Sequence, residues 1–239
     1  MANAQQNNQD KLLTTVMASS IHEIKNGFNS LIAQIDHLVS ELPEDCKDLE
    51  DVTHIQTETF FISNQLNQLL TCYKDSEQGY SATVTEQFVF DLLEEITQRH
   101  KSTTAISFGC DISFSTDEDL VGFFDAQLIS NVIDTGIYNA ARIDAVTKIL
   151  ITANQTPEYL CIRVEDDGPG FPDELIHQFA NPSQLNTPLA ENFEHGTTGL
   201  GLHFAQKILQ IHENKGKAGH LTLSNNNQSS GACLELFIP

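Results

Sequence analysis

The chain has 239 residues, room for one large or two small domains with a sizeable core, and its 40% apolar and 19% charged content suits a folded protein. A net charge of −21, with only 12 Lys and Arg, opposes nucleic acid or an anionic membrane as a main partner, because both repel a negative surface. No apolar run approaches the roughly 20 residues that span a bilayer.

Residues 1–9 are polar and lack a signal-peptide pattern, and are expected to be a disordered tail. Residues 10–41 predict one long helix, because Met17, Ile21, Ile24, Phe28, Leu31, Ile35 and Leu38 step by four and three alternately. Leu42-Pro43 breaks it. Residues 45–75 predict a second helix, with Val52, Ile55, Ile62, Leu66, Leu69 and Tyr73 in its seam and polar Thr59 inside it. The short connection makes residues 10–75 a helical hairpin. Two helices bury little, so a four-helix homodimer is the natural cover for both seams; packing on the rest of the same chain is the alternative.

The stretch Lys74–Gly79 is polar, and residues 76–81 are expected to link the hairpin to a second domain over 82–239. There the pattern predicts a strand and entry loop over Ala82–Phe90 and a helix over Asp91–His100. Strands follow over Ala105–Phe114 and Leu120–Phe124, then a helix over Asp125–Arg142. Lys148–Ala153 and Tyr159–Glu165 read as an antiparallel pair, Thr198–Ile211 as a helix, and His220–Ser224 with Ala232–Ile238 as strands. The fold class expected is α+β: a hairpin forming a dimeric bundle, then an α/β sandwich with helices on one face of a sheet. The five cysteines (Cys46, Cys72, Cys110, Cys161, Cys233) are scattered, odd in number and without a CxxC pair, which suggests reduced structural thiols and a cytoplasmic location. The nine histidines show no metal-ligand spacing.

Three places carry chemistry. The first is a pair of glycine runs, Asp166-Asp167-Gly168-Pro169-Gly170 after a strand and Gly196-Thr197-Thr198-Gly199-Leu200-Gly201 opening a helix. Such glycines let backbone NH groups approach phosphate oxygens, and Asp166 can accept from a base or bind a metal, which suggests an ATP site; each run alone is equally an ordinary turn. The second is Asn139, with Thr135 four residues earlier on the same helical face and Arg142 just beyond. An amide oxygen suits Mg²⁺ and an Arg suits phosphate, although a lone Asn is also a common solvated residue. The third is His22-Glu23-Ile24-Lys25-Asn26, where His22 stands beside the seam, pointing toward solvent. Its imidazole can accept a phosphoryl group and Glu23 can orient or take its proton; the alternative is a surface histidine among polar neighbours.

In this order and spacing the motifs resemble those of sensor histidine kinases of two-component systems. His22-Glu23-Ile24-Lys25-Asn26 is similar to their H-box, and Asn139-Ala140-Ala141-Arg142, with Asp125 upstream, to their N-box. Asp166-x-Gly168-x-Gly170 is similar to the G1 box and Gly199-Leu200-Gly201-Leu202 to the G2 box. The resemblance implies a HisKA-like dimerisation hairpin joined to a GHKL-type ATP-binding domain. It implies ATP and Mg²⁺ as ligands, His22 as phosphoacceptor, Glu23 as acid/base partner, and Asn26 in removing phosphate from the regulator. It implies Asn139 as the Mg²⁺ ligand, and Thr135, Arg142, Asp166, Gly168, Gly170, Thr198, Gly199, Leu200 and Gly201 around the nucleotide, with residues 171–198 as a mobile lid. The implied partner is the receiver domain of a response regulator. With no sensory domain or membrane span visible, the signal is expected from a separate sensor protein in trans.

The sequence departs from the family at Thr135, where an Asn is usual, at Thr197, where a glycine is usual, and at Gly27 and Ile143. These leave room for a histidine phosphotransferase or a regulator-binding scaffold with a degenerate ATP domain. A serine kinase of the anti-sigma type would share the ATP fold but not the hairpin.

Overall fold

The computed structural model describes residues 23–24, 26–35, 37–43, 50–78, 82–180, 200–226 and 231–239; for 69–78 and 200 it describes the backbone alone. Helix α1 comprises residues 23–24, 26–35 and 37–41, and the chain leaves helical geometry at Leu42-Pro43, as proline requires. Helix α2 is Glu50–Gln78. It runs on through the polar stretch expected as a linker, because nothing in Lys74–Gln78 is a helix breaker.

The rest alternates strands and helices: β1 (Thr85–Phe88), α3 (Val89–Ser102), α4 (Thr104–Phe108), β2 (Asp111–Ser115), β3 (Val121–Phe124), α5 (Ala126–Ala141), β4 (Lys148–Gln155) and β5 (Leu160–Asp166). Then come α6 (Asp173–Phe179), α7 (Leu200–Gln210), a small hairpin of β6 (Glu213–Asn214) and β7 (Lys217–Ala218), β8 (His220–Asn225) and β9 (Ala232–Ile238). The strand expected over Ala105–Phe114 is two elements. Its first half is helical, and the strand begins only after the left-handed Gly109. Five residues are too short to show a helical period in sequence.

Five strands form one mixed sheet in the order β2-β4-β5-β9-β8, with β2 parallel to β4 and the other pairs antiparallel; β1 and β3 pair separately. Alternate residues of β4 (Ile149, Ile151, Ala153) are buried while Lys148 and Leu150 face outward. The core lies on one face only, which is the sandwich expected. Ile151, Ile162 and Leu236 are fully buried beneath Ile129, Ile133 and Leu209, each contributing about 2 kcal/mol of apolar transfer energy. Cys110, Cys161 and Cys233 are buried free thiols. Burial, with Glu235 and Glu165 nearby, pushes Cys233 up to about 12, so it is a packing residue and not a nucleophile.

Helix α5 is held from several sides. The Asp125 carboxylate caps it by accepting from the Leu128 NH (3.2 Å) and ties it to the chain entering the domain by accepting from the Thr83 NH (2.9 Å). The Asp125 NH donates to His212 Nε2 (3.1 Å), while His212 Nδ1 lies 2.8 Å from the Ile208 carbonyl. His212 is therefore neutral, with its proton on Nδ1, and it joins the start of α5 to the end of α7.

Burial lowers the His212 pKa below the ordinary imidazole value. The folded state resists the proton that the unfolded chain accepts, so this stabilisation is complete above about pH 6.5 and is lost as pH falls through the depressed folded value. Urea unfolding midpoints should fall between about pH 7.5 and pH 5, and fall less steeply in His212→Gln; equal slopes in both proteins would contradict this.

Candidate nucleotide site

Asp166 is the last residue of β5, and the chain turns immediately after it. One carboxylate oxygen, Oδ1, accepts from the Gly168 NH (2.8 Å) and from the Ala232 NH at the start of β9 (3.1 Å). Among the described residues Oδ2 makes no hydrogen bond, so an acceptor is held in fixed orientation with one oxygen available. Burial raises the Asp166 pKa, with Asp167 adding to it against the two backbone bonds. A Cβ on Gly168 would lie 2.6 Å from Val146 Cγ2 and 3.1 Å from Asp166 Oδ1, so a side chain there would displace the carboxylate. Gly170 adopts φ 85°, a conformation that only glycine takes freely.

The neighbouring Asp167 ties this turn to the loop after α5. Its carboxylate accepts from the NH groups of Thr147 (2.8 Å) and Lys148 (2.9 Å) and from the Thr147 hydroxyl (2.6 Å). Burial opposes its charge, but those donors outweigh burial and hold its pKa below the ordinary range. Val146 and Thr147 thus fix both acids relative to the helix that carries Asn139.

On that helix Thr135 is buried and Asn139 half-buried. A Cβ on Gly201 would lie 2.9 Å from Thr135 Cγ2 and 3.9 Å from Asn139 Nδ2, so α7 crosses closely here because position 201 has no side chain. The structure brings Thr135, Asn139 and Gly201 together, and sets Asp166, Gly168 and Gly170 at the strand end linked to the same helix through residues 146–147. The Asn139 amide makes no hydrogen bond among the described residues, whereas the Thr135 hydroxyl donates to the Asn131 carbonyl (2.8 Å). Arg142 is exposed, with its guanidinium 5.5 Å from the Tyr138 ring centroid. Leu200 opens α7.

His22, Thr198 and Gly199 lie outside the described residues; Glu23 and Asn26 are exposed on α1. Residues 171–180, expected as part of a lid, are not all loop. Asp173–Phe179 is a helix with Leu175 and Phe179 buried, and Asn225 clamps its entry by accepting from the Phe171 NH (2.7 Å) and donating to its carbonyl (2.9 Å). The remainder, 181–198, lies outside the described residues. Sequence reasoning also missed Ala232 and Asn225. Their roles come from a strand that is distant in sequence, and no local pattern signals them.

The free Asn139 amide oxygen is a hard neutral donor, which fits Mg²⁺. Among the described residues no group of three or more His, Cys, Asp or Glu could hold a metal by itself, so a cation here would rely on phosphate oxygens for other ligands. The residues present fit a Mg-nucleotide.

Residues 124–239 match the protein family described as histidine kinase-, DNA gyrase B-, and HSP90-like ATPase. Over 214 residues the chain is 22% identical to sensor histidine kinase YvrG of Bacillus subtilis (strain 168), covering 86% of this chain and 36% of that protein. It is 24% identical over 213 residues to sensor histidine kinase RcsC of Salmonella typhimurium, covering 87% of this chain and 22% of that protein. The chain thus spans well under half the length of these curated relatives. Among solved structures, the catalytic domain of histidine kinase ThkA is 26% identical with a TM-score of 0.51, covering 65% of this chain and 95% of that one. Full-length ShkA in complex with AMPPNP shares the fold at 16% identity with a TM-score of 0.63, covering 93% of this chain and 45% of that one. Residues 124–239, just under half of the chain, are thus similar to the histidine kinase-, gyrase B- and HSP90-like ATPases, and most of the chain is similar in sequence to sensor histidine kinases.

Asp166→Asn should keep the fold, because an amide oxygen can still accept from Gly168 and Ala232. It would turn an NH₂ outward in place of the free carboxylate oxygen and, with that oxygen facing a nucleotide donor, should weaken binding of a fluorescent ATP analogue by about 1.5–3 kcal/mol, roughly ten- to a hundredfold. Unchanged affinity in a folded variant would remove Asp166 from the site.

Proposed function

We propose that this chain is an ATP-dependent protein-histidine kinase that phosphorylates His22 and passes the phosphoryl group to an aspartate on a response-regulator receiver domain, which it also dephosphorylates. The observation that carries the reading is the convergence of a free Asn139 amide, the close Thr135–Gly201 crossing and an oriented Asp166 carboxylate on an ATPase domain related to histidine kinases.

In this reading Asp166 Oδ2 accepts from the adenine amino group, and Gly168 and Gly170 shape the wall beside it. Asn139 ligates Mg²⁺, which neutralises charge on the phosphates when bound. Arg142 and the run Thr198-Gly199-Leu200-Gly201 contact the phosphates. A His22 ring nitrogen attacks the γ-phosphorus, the P–N bond forms as the bond to ADP breaks, and Glu23 takes or orients the ring proton. Asn26, one turn on, holds the water that removes phosphate from the regulator.

The apolar residues left uncovered on the helices support a homodimer through residues 10–75. Ile24, Leu31, Leu38 and Ile55 are 49%, 46%, 67% and 51% exposed, a row that a second hairpin would cover. No helix among the described residues is long and apolar enough to cross a membrane, and we assign the chain to the cytoplasm with its signal arriving from a separate sensor. One observation favours a second reading, a phosphotransferase or scaffold with a weakened ATP domain. The Thr135 hydroxyl is already engaged by the Asn131 carbonyl and the Gln68 amide, which leaves Asn139 as the one free amide on that face among the described residues.

Incubation with Mg-ATP should yield one acid-labile, base-stable phosphate per active chain, absent in His22→Gln. No such phosphate in a chain that binds ATP would support the second reading. The same phosphate persisting in His22→Gln would exclude His22 as the acceptor.

A further inference from the structure

Helix α2 has two working faces. Its apolar seam residues Ile62 and Leu66 are half-buried and Ile55 is half-exposed. A different stripe, Thr53, Thr57, Phe61, Asn64 and Gln68, recurs every three or four residues and is buried. From Thr57 onward this stripe lies on the ATPase domain, chiefly on the outer face of α5. Thr57 and Ser107 share a hydrogen bond (3.1 Å), and Phe61 stacks on Tyr138 with ring centroids 3.6 Å apart. The Tyr138 hydroxyl donates to Glu58, Asn64 Nδ2 donates to Asp134 (3.3 Å), and Gln68 Nε2 donates to Thr135 Oγ1 (2.7 Å) and to the Asn131 carbonyl (3.0 Å).

This surface is built for a defined register and not for permanent burial. Its contacts are mostly directional hydrogen bonds, which water can replace when the surfaces part. The Gln68 side-chain amide oxygen, Oε1, is buried without a partner among the described residues. A cavity of about 160 Å³ remains between Phe60 and Asn64 on one side and Arg99, Ser130 and Asp134 on the other.

Among the described side chains, Gln68 makes the contact of the stripe nearest the C-terminal end of α2. Gln68 stands 18 residues from Glu50 at the start of α2, and Glu23 stands 18 residues from Glu41 at the end of α1. At about 1.5 Å per residue, the antiparallel hairpin expected from the sequence would set both about 27 Å from its tip. Gln68 bonds Thr135, one turn from Asn139, and in the hairpin expected from the sequence it falls at the level of the residue that follows the proposed phosphoacceptor.

We propose that Gln68 is a positioning residue, which registers the Asn139 helix on the hairpin through Thr135 and brings the nucleotide end of the ATPase domain level with the acceptor. This rests on the kinase reading above. Gln68 does not touch the reacting atoms; it sets where α5 sits.

The test is Gln68→Leu in the full chain, with Gln68→Glu as a second variant that keeps the size and removes the donated bonds. Thr135 retains its own bond to Asn131 in both. Hydrogen exchange should lose about tenfold protection in peptides covering 61–68 and 131–135, while β4 and β5 stay protected. Autophosphorylation kcat should fall about tenfold or more with KM for ATP within about twofold. Unchanged exchange overturns the dock. Exchange that loosens with kcat unchanged or raised overturns the positioning role, a rise making the contact a brake. A wild-type chain that forms no phosphohistidine refutes the kinase reading and the positioning role with it, while exchange alone still decides whether Gln68 holds the two helices together.

Discussion

A carboxylate buried on the outer face of a helix has to be paired, and Asp134 is paired from three directions. Arg99 and His100 of α3 reach one oxygen at 2.8 and 2.9 Å, and Asn64 of α2 reaches the other at 3.3 Å. Thr104, at the start of α4, completes the set by bonding His100 Nδ1 (2.8 Å). Removing one partner of such a buried pair costs about 3–5 kcal/mol, because the remaining charge is stranded. The network therefore fixes α5 against α3 and α4, and the same helix carries Thr135 and Asn139 one residue and five residues further on. Geometry at the candidate site is inherited from this joint on one side, from the Asp125–His212 link at the helix start, and from the Asp167–Thr147 contacts beyond its end.

Helix α5 is the element to which the others refer. Its inner face packs on the sheet, where a Cβ at Gly136 would meet Leu234 and Val164. A second face meets α7 at Gly201, and a third receives α2. A helix contacted on all sides is nearly buried throughout: from Gln127 to Ala141 only Gln127 is exposed and only Asn139 is half-buried. That the one half-exposed residue near its end carries a free amide gives the site its chemical character.

Much of this was legible in the sequence, for physical reasons that differ by element. Helix α5 announced itself because Asp125 is a good cap and the apolar run behind it is long. The end of β5 was legible because an acid before Gly-Pro-Gly forces a turn. Helices α4 and α6 were not, since five and seven residues make fewer than two helical turns, too few to establish a period. The donors that orient Asp166 escaped as well: a backbone NH from Ala232, 66 residues away, leaves no trace in side-chain chemistry. The apolar stripe on α2 is legible as a helical period. The second face was hidden because Thr, Asn and Gln at helical spacing look like solvent-facing positions, and only contact with α5 shows that they are buried. A polar surface meets a polar surface there, and a hydrophobic period cannot report it.

In the proposed reading, α5 and the end of β5 hold a Mg-nucleotide and Asn139 meets the cation. Calorimetric titration of ATP with and without Mg²⁺, in the wild-type chain and in Asn139→Ala, tests it most directly. Mg²⁺ should strengthen ATP binding in the wild type, and this gain should disappear in Asn139→Ala while the fold is kept. A wild-type chain that binds no ATP, or an Asn139→Ala variant that retains the full Mg²⁺ effect, would contradict it.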